Sequence, residues 1–133
     1  MAKQRKLEPE YRLNIFYHKN PQTKKRSLVF LLRTIQEFVS FNYEILLEDK
    51  MLGRTLMMKI AGLHAPPSLM PATGEAVGKK EYRGLNGTYT MIVKKLDGTT
   101  NEFRLDISKE GVRILQRPKN PIVLISTEPV APA

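Results

Sequence analysis

Residues 88–116 read TYTMIVKKLDGTTNEFRLDISKEGVRILQ and predict three consecutive antiparallel β-strands. Apolar and polar side chains alternate along this stretch, which is the pattern of strands that bury one face. Two turn signals divide it, Asp97-Gly98 and the segment Ser108-Lys109-Glu110-Gly111. The chain therefore belongs to the mainly β class.

The same alternation predicts how the first two of these strands pair. A strict two-residue turn would set Met91 opposite Arg104 and mix the two faces of the hairpin. A three-residue turn with Gly98 in the left-handed region sets Met91 opposite Phe103 instead. We therefore expect a glycine bulge at this turn.

The first part of the chain carries further strand signals and one helix signal. Residues 11–17 alternate between apolar and polar side chains, and residues 28–33 contain a continuous apolar run, residues 28–32, and have the length of a strand. Residues 34–37, Thr-Ile-Gln-Glu, match a capping box and predict a short helix over residues 35–40. A single helix over residues 28–39 is the alternative, because its apolar residues also fit helical spacing.

A hairpin is expected in the middle of the chain. Residues 41–47 and 56–60 each place apolar side chains on one strand face. A four-residue loop over residues 50–53 sets Leu47 opposite Leu56 and keeps the apolar faces together.

The chain of 133 residues is long enough for one domain with one core. We expect a disordered basic arm over residues 1–9, a single β-rich domain over residues 10–126, and a disordered tail over residues 127–133. Residues 64–80 are rich in Pro and Gly and predict an irregular loop. The expected architecture is a small antiparallel barrel or curved sheet of about eight strands with one short helix.

Catalysis finds little support in the composition. The chain has no cysteine, and its two histidines, His18 and His64, accompany no nucleophile motif or metal-ligand spacing. No phosphate-binding glycine loop is present. The start of the chain is charged, and the longest apolar run, residues 28–32, is too short to span a bilayer. The sequence therefore predicts a cytoplasmic protein that is not an enzyme and uses no cofactor, metal or transmembrane segment.

Positive charge is concentrated near the amino terminus. Residues 1–33 contain nine Lys and Arg against two Glu, while the whole chain has a formal net charge of +9. Such an end favours an anionic partner. We expect an accessory or adaptor subunit that docks on a larger protein assembly with an acidic surface through Lys3, Arg5, Lys6, Lys19, Lys24, Lys25 and Arg26.

Nucleic acid is the alternative anionic partner. Tyr11, Phe16 and Tyr17 lie near the basic segment, and aromatic faces beside basic residues are typical of proteins that bind RNA or single-stranded DNA.

One motif-like string has a second interpretation. Asp106-x-Ser108-x-x-Gly111 follows Lys79-x-x-x-Arg83 and two predicted strands. This order resembles the PilZ domain, a β-barrel family that binds cyclic di-GMP. The resemblance implies that Lys79 and Arg83 contact phosphate and guanine, that Asp106 and Ser108 hydrogen-bond guanine, and that Gly111 shapes the turn.

The same string also fits an ordinary hairpin turn. Ser108 would begin the turn, Gly111 would be its left-handed residue, and Asp106 would face Arg113 across the two strands. The sequence leaves the ligand motif and the turn open as alternatives.

Overall fold

The computed structural model describes residues 9–38, 44–64 and 74–130. These residues form β1 (Tyr11–Lys19), β2 (Arg26–Phe38), β3 (Glu44–Leu52), β4 (Thr55–His64), β5 (Gly74–Tyr82), β6 (Gly87–Lys94), β7 (Thr100–Ser108), β8 (Gly111–Gln116) and β9 (Val123–Ser126). The strands build one sheet in the order β8-β7-β6-β4-β3-β5-β2-β1-β9, which curls into a half-barrel. The mainly β prediction is confirmed.

The sheet is mixed, whereas the sequence predicted an antiparallel one. Three neighbouring pairs are parallel: β1 with β9, β3 with β5, and β4 with β6. None of these three pairs joins strands that follow each other directly in the sequence. Hairpin signals describe only strands that follow each other directly, so they do not reveal such pairs.

The predicted short helix is wrong over its described part, because residues 35–38 belong to β2. Residues 39–40 lie outside the described residues, and the described residues contain no helix. The Thr34 hydroxyl accepts a hydrogen bond from the Ala76 amide at 2.8 Å and donates one to the Gln36 carbonyl at 2.8 Å. Thr34 therefore bonds main-chain groups at the point where the β2–β5 register shifts, rather than capping a helix.

The alternative helix over residues 28–39 is wrong for the same reason. Residues 28–32 pair in unbroken antiparallel register with β1 on one side and β5 on the other. A central strand buried on both faces reads as a continuous apolar run, which periodicity alone cannot distinguish from a buried helix.

The β3–β4 hairpin has the expected faces and a different register. Leu47 lies opposite Ile60, and Met51 lies opposite Leu56, around a turn at Gly53 and Arg54. Leu56 therefore pairs four residues away from the predicted Leu47. From Leu47 to the turn the shift is even and keeps each side chain on its own face, so the apolar pattern could not exclude it. A further register shift, between Leu46 and Leu47, places Ile45 opposite Leu63.

The three strands over residues 88–116 pair as predicted. Met91 lies opposite Phe103 and Leu105 lies opposite Ile114. Gly98 has a φ of 91°, and the Lys95 amide bonds the Thr99 carbonyl at 2.9 Å around the three-residue turn. Both hairpins are local, so alternation and turn chemistry were sufficient to predict them.

The described part of the predicted irregular loop over residues 64–80 belongs to two strands. Residues 74–80 belong to β5, and residue 64 ends β4, while residues 65–73 lie outside the described residues. Gly78 is buried where β5 passes β3, and a Cβ atom at this position would lie 2.8 Å from the Ile45 carbonyl oxygen. The glycine that suggested a loop permits close packing of two strands.

The main core fills the concave side of the half-barrel. Its fully buried large side chains come from strands in both halves of the sheet, and they include Leu13, Ile15, Leu28, Phe30, Met91, Phe103, Leu105 and Ile107. The alternation predicted for residues 11–17 is confirmed, because Leu13 and Ile15 face this core.

A smaller apolar cluster lies on the outer face and holds part of the carboxy-terminal tail. Phe16, Val29 and Leu31 are buried there, and Val130 packs against them. The Asn14 side-chain amide donates to the Glu128 carbonyl at 3.0 Å. Residues 127–130, which the sequence placed in a disordered tail, therefore contact the sheet.

None of the described residues forms a helix that is long and apolar enough to cross a membrane.

Candidate functional site

The basic segment predicted as a partner surface forms a structured hairpin loop between β1 and β2. The Asn20 side-chain oxygen accepts hydrogen bonds from the Gln22 amide at 2.8 Å and the Thr23 amide at 3.2 Å. The Asn20 amide also bonds the Lys25 carbonyl at 2.9 Å. Lys24 has a φ of 59°, a left-handed conformation that turns the chain back toward β2. Local hydrogen bonds thus shape the loop that presents Lys19, Lys24 and Lys25, all of which are exposed.

Arg26 ties this hairpin to the β7–β8 turn. Its guanidinium donates to the Lys109 carbonyl at 2.6 Å and lies 3.8 Å from the centre of the Tyr17 ring. The Tyr17 hydroxyl in turn donates to the Ser108 carbonyl at 2.7 Å. Arg26 and Lys109 are 83 positions apart in the sequence, and Tyr17 and Ser108 are 91 positions apart. These long-range contacts give the two turns a defined position relative to each other.

Other segments bring further cations to the same end of the half-barrel. Arg54, in the β3–β4 turn, donates to the Asn86 carbonyl at 2.8 Å and lies 5.2 Å from the centre of the Tyr89 ring. Arg83 and Lys109 are exposed in neighbouring connections. We call this surface the basic end and define it as Lys19, Lys24, Lys25, Arg26, Arg54, Arg83 and Lys109.

An open cleft lies within the basic end. It has a volume of about 640 Å³, and its walls come from Tyr17, Arg26, Gly84, Leu85, Asn86, Ser108, Lys109 and Glu110. Leu85 supplies an apolar surface, and Glu110 is the one carboxylate among these lining residues. The cleft therefore combines a fixed guanidinium with amide and hydroxyl groups, a set that suits carboxylate or other anionic groups.

The cations of the basic end are available to a partner. Within the part of the chain that the structure describes, none of the seven forms an ion pair, although Lys80, Lys95 and Arg113 do. All seven side chains belong to exposed residues. Their charge is therefore not neutralised by any carboxylate within the described residues.

Sequence reasoning found only part of this surface. It singled out Lys19, Lys24, Lys25 and Arg26 through their proximity in the chain, and Arg83 through the PilZ resemblance. It missed Arg54 and Lys109, because each stands alone in its own turn. Lys3, Arg5 and Lys6 lie outside the described residues.

The five residues of the PilZ resemblance do not share one site. Arg83 and Ser108 lie at the basic end, but Lys79 lines a separate hollow with Glu44 and Glu48. Asp106 bonds the Arg113 guanidinium at 2.8 Å, as the turn interpretation predicted. Three strands, β6, β4 and β3, separate Lys79 on β5 from Asp106 on β7.

The turn residues of the same motif have structural contacts. The Ser108 hydroxyl accepts a hydrogen bond from the Glu110 amide at 3.3 Å and lies 3.4 Å from the Gly111 carbonyl oxygen. Gly111 has a positive φ of 155° and pairs with Ser108 across the turn.

The aromatic side chains considered for base stacking are engaged elsewhere. Phe16 is 4% exposed beneath Val130, and the Tyr17 ring is covered by the Arg26 guanidinium. Tyr11 packs against the main core. Phe16 therefore has no free face for stacking on a base, and Arg26 occupies one face of the Tyr17 ring.

Asp49 lies beside the basic end, on the concave face, and contacts Tyr82 and Lys80. Tyr82 donates a hydrogen bond to Asp49, and the Lys80 ammonium lies 3.3 Å from the other Asp49 oxygen. The hydrogen bond from Tyr82, followed by the interaction with Lys80, holds the pKa of Asp49 below its usual value although burial opposes this shift. Burial and the bond to Asp49 both raise the pKa of Tyr82.

Replacing Tyr82 with phenylalanine is expected to destabilise the fold in a pH-dependent manner. The variant keeps the edge-to-face contact with Phe30 but loses the bond to Asp49, which costs about 1 kcal/mol at pH 7. Because the folded-state pKa of Asp49 is lowered, this stabilisation is present above the unfolded value of about 4 and is lost as the pH falls through the folded value. Urea unfolding between pH 7 and pH 2.5 measures the difference.

The control for this prediction is Tyr89→Phe, which removes a hydroxyl that has no carboxylate partner among the described residues. Its effect should not change over the same pH range. An equal pH dependence in both variants would contradict the assigned role of Asp49.

Comparison of the chain with models of known protein families, with curated protein sequences and with solved structures found no significant match. Among the described residues, no group of three or more His, Asp or Glu side chains is arranged to hold a metal ion.

Proposed function

We propose that this chain is a non-enzymatic binding module, an accessory or adaptor subunit that docks on an acidic surface of a larger protein through its basic end. One observation carries the proposal. The fold gathers seven exposed cations from four separate connections at one end of the half-barrel, and none of them forms an ion pair within the described residues.

The way Arg26 is held supports a specific contact rather than a diffuse charge effect. Its bond to the Lys109 carbonyl and its stacking on Tyr17 restrict the guanidinium before any partner arrives. A cation that is already ordered loses less conformational entropy on binding. The cleft beside it is wide enough to admit side chains of a partner.

The contacts of Phe16 and Tyr17 favour a protein partner over single-stranded nucleic acid. Stacking on bases requires free aromatic faces, and these two rings are packed beneath Val130 and Arg26. Carboxylates on a protein surface require only the exposed ammonium and guanidinium groups.

The proposal is tested by capture from native, nuclease-treated lysate with three tagged baits. These are the wild type, the basic-end variant Lys19→Glu/Lys24→Glu/Lys25→Glu, and the control Lys50→Glu/Lys59→Glu/Lys94→Glu. The control makes the same change in charge at exposed lysines on the outer face of β3, β4 and β6. Bound proteins are identified and quantified by mass spectrometry.

We expect one stoichiometric partner that the wild type and the control retain and that the basic-end variant loses by about tenfold or more. Raising the salt concentration should weaken capture, because the contact involves exposed charges. Equal loss in both variants would show non-specific attraction and would overturn the proposal. Capture that is unaffected by the basic-end variant would also overturn it.

Two further arms address the alternative ligands. RNA or DNA retained only when nuclease is omitted, with no protein partner, would replace the proposal with nucleic-acid binding. Binding of cyclic di-GMP that Arg83→Ala abolishes would instead favour the PilZ interpretation.

A further inference from the structure

We infer that the free edge of β8 binds an extended acidic segment of the partner as an additional β-strand. This inference rests on the proposed function, since it specifies how the partner contacts the protein. It uses main-chain groups of β8 that the basic end itself does not include.

The hairpin geometry determines which main-chain groups of β8 are free. Ser108 and Gly111 close the two-residue turn between β7 and β8, and Ile107 lies opposite Val112. In such a hairpin the closing pair is hydrogen-bonded and the next pair is not. The amide and carbonyl groups of Val112 and Ile114 therefore point away from β7.

No strand within the described residues pairs with this edge, because β8 is the last strand of the sheet on its side. At the other side of the opening, β9 pairs with β1 only from Tyr11 to Asn14. β1 continues to Lys19, so on the side opposite β2 its final residues face the opening with no described strand paired to them.

A cavity of about 380 Å³ occupies the opening between β1 and β8. Tyr17 and Arg26 line one wall, and Gly111 and Val112 line another. Glu110 and the tail residues Thr127 and Pro129 line the same cavity. The opening therefore gives access to the β8 edge next to the fixed guanidinium of Arg26. A strand that pairs with β8 would run beside the basic end.

Charge identifies the kind of segment that fits. Arg26 lines the opening together with Glu110. Lys109 lies in the turn where the edge begins, and Arg117 follows the end of the edge. Arg113 on the edge itself is paired with Asp106. A second copy of this chain would bring its own cations to this edge, and like charges on paired strands are unfavourable. An acidic segment instead complements these cations.

The length of the edge limits the segment. β8 has six residues, which corresponds to about 20 Å of strand. Pro118 follows shortly after its end and lacks an amide donor. A segment of about five or six residues is therefore sufficient.

The first experiment uses a defined probe, a fluorescent seven-residue peptide in which glutamate alternates with valine. Its binding to the full-length protein is measured by fluorescence anisotropy. Two matched peptides serve as comparisons, one N-methylated on alternate amides and one with lysine in place of glutamate. We expect both changes to weaken binding about tenfold or more, because one removes main-chain donors and the other reverses the charge.

The second experiment tests the edge in the protein itself. Val112→Pro removes an outward amide without removing a β7–β8 ladder bond, and Pro is tolerated on edge strands. We expect this variant to lose peptide binding while circular dichroism and thermal unfolding confirm that it folds. Hydrogen exchange in the wild type should show that the peptide protects residues 111–116.

The outcomes separate this inference from the proposed function. If the peptide binds but neither N-methylation nor Val112→Pro weakens it, and residues 111–116 gain no protection, charge alone holds it and strand addition is wrong. If no peptide binds while partner capture still requires the basic end, strand addition is also wrong and the proposed function stands. If Val112→Pro abolishes binding while Lys19→Glu/Lys24→Glu/Lys25→Glu has no effect, the edge inference stands and the basic-end proposal fails.

Discussion

Replacing Gly78 with valine is expected to lower the free energy of unfolding by about 3 kcal/mol, the upper part of the range for overpacked cores. A Cβ atom at this position would lie 2.8 Å from the Ile45 carbonyl oxygen and 3.1 Å from a methyl group of Leu47. The first of these atoms belongs to the backbone, so a change of rotamer cannot relieve the contact. Two strands would have to separate.

The position of Gly78 makes this separation costly. It lies on β5, which joins β2 to β3 and thereby connects the two halves of the sheet. Opening this junction would also disturb the core between Leu32, which lies opposite Gly78 on β2, and Ile45 on β3. The damage would therefore reach both halves of the half-barrel.

Urea unfolding monitored by circular dichroism measures the effect of Gly78→Val. The matched control is Val77→Thr, at the residue directly before Gly78, where the side chain is 38% exposed. A change at such a surface position is expected to stay within about 0.5 kcal/mol. Unfolding of Gly78→Val at the wild-type urea concentration would contradict the close packing of β5 on β3.

Replacing Asn101 with alanine is expected to lower the free energy of unfolding by about 3 kcal/mol, because it leaves buried amides without a partner. Asn101 is 3% exposed, and its side-chain oxygen accepts hydrogen bonds from the Ile122 amide at 2.7 Å and the Val123 amide at 3.2 Å. Its side-chain nitrogen lies 3.4 Å from the Asn120 carbonyl oxygen. This side chain attaches the start of β9 to β7.

Asn101→Ala should lower the stability of the region around β9 more than that of the rest of the protein. We expect hydrogen exchange at Ile122 and Val123 to accelerate more in Asn101→Ala than exchange in the β6–β7 hairpin. Glu102→Gln is the control, because this neighbouring side chain is exposed and should leave both stability and exchange unchanged. Wild-type exchange at Ile122 and Val123 in Asn101→Ala would refute the assigned role of Asn101.

Prediction from the sequence succeeded where partners are close in the chain. The pairing of Met91 with Phe103 and of Asp106 with Arg113 followed from turn chemistry and alternation. The β3–β4 register did not, because a shift of four residues leaves Leu47 and Leu56 on their own faces. Thr34 was misassigned because a hydroxyl that can cap a helix can equally satisfy an amide of a neighbouring strand.

The basic end likewise combines features that neighbouring residues determine with features that depend on long-range contacts. The sequence by itself determined the mainly β class, the local hairpins and the positive charge around Lys24 and Lys25, since these depend on neighbouring residues. Only the tertiary structure decided that Arg54 and Lys109 join them at one end and that no described strand pairs with the β8 edge. Long-range pairing depends on which strands meet when the sheet curls around its core, and no local pattern encodes that choice.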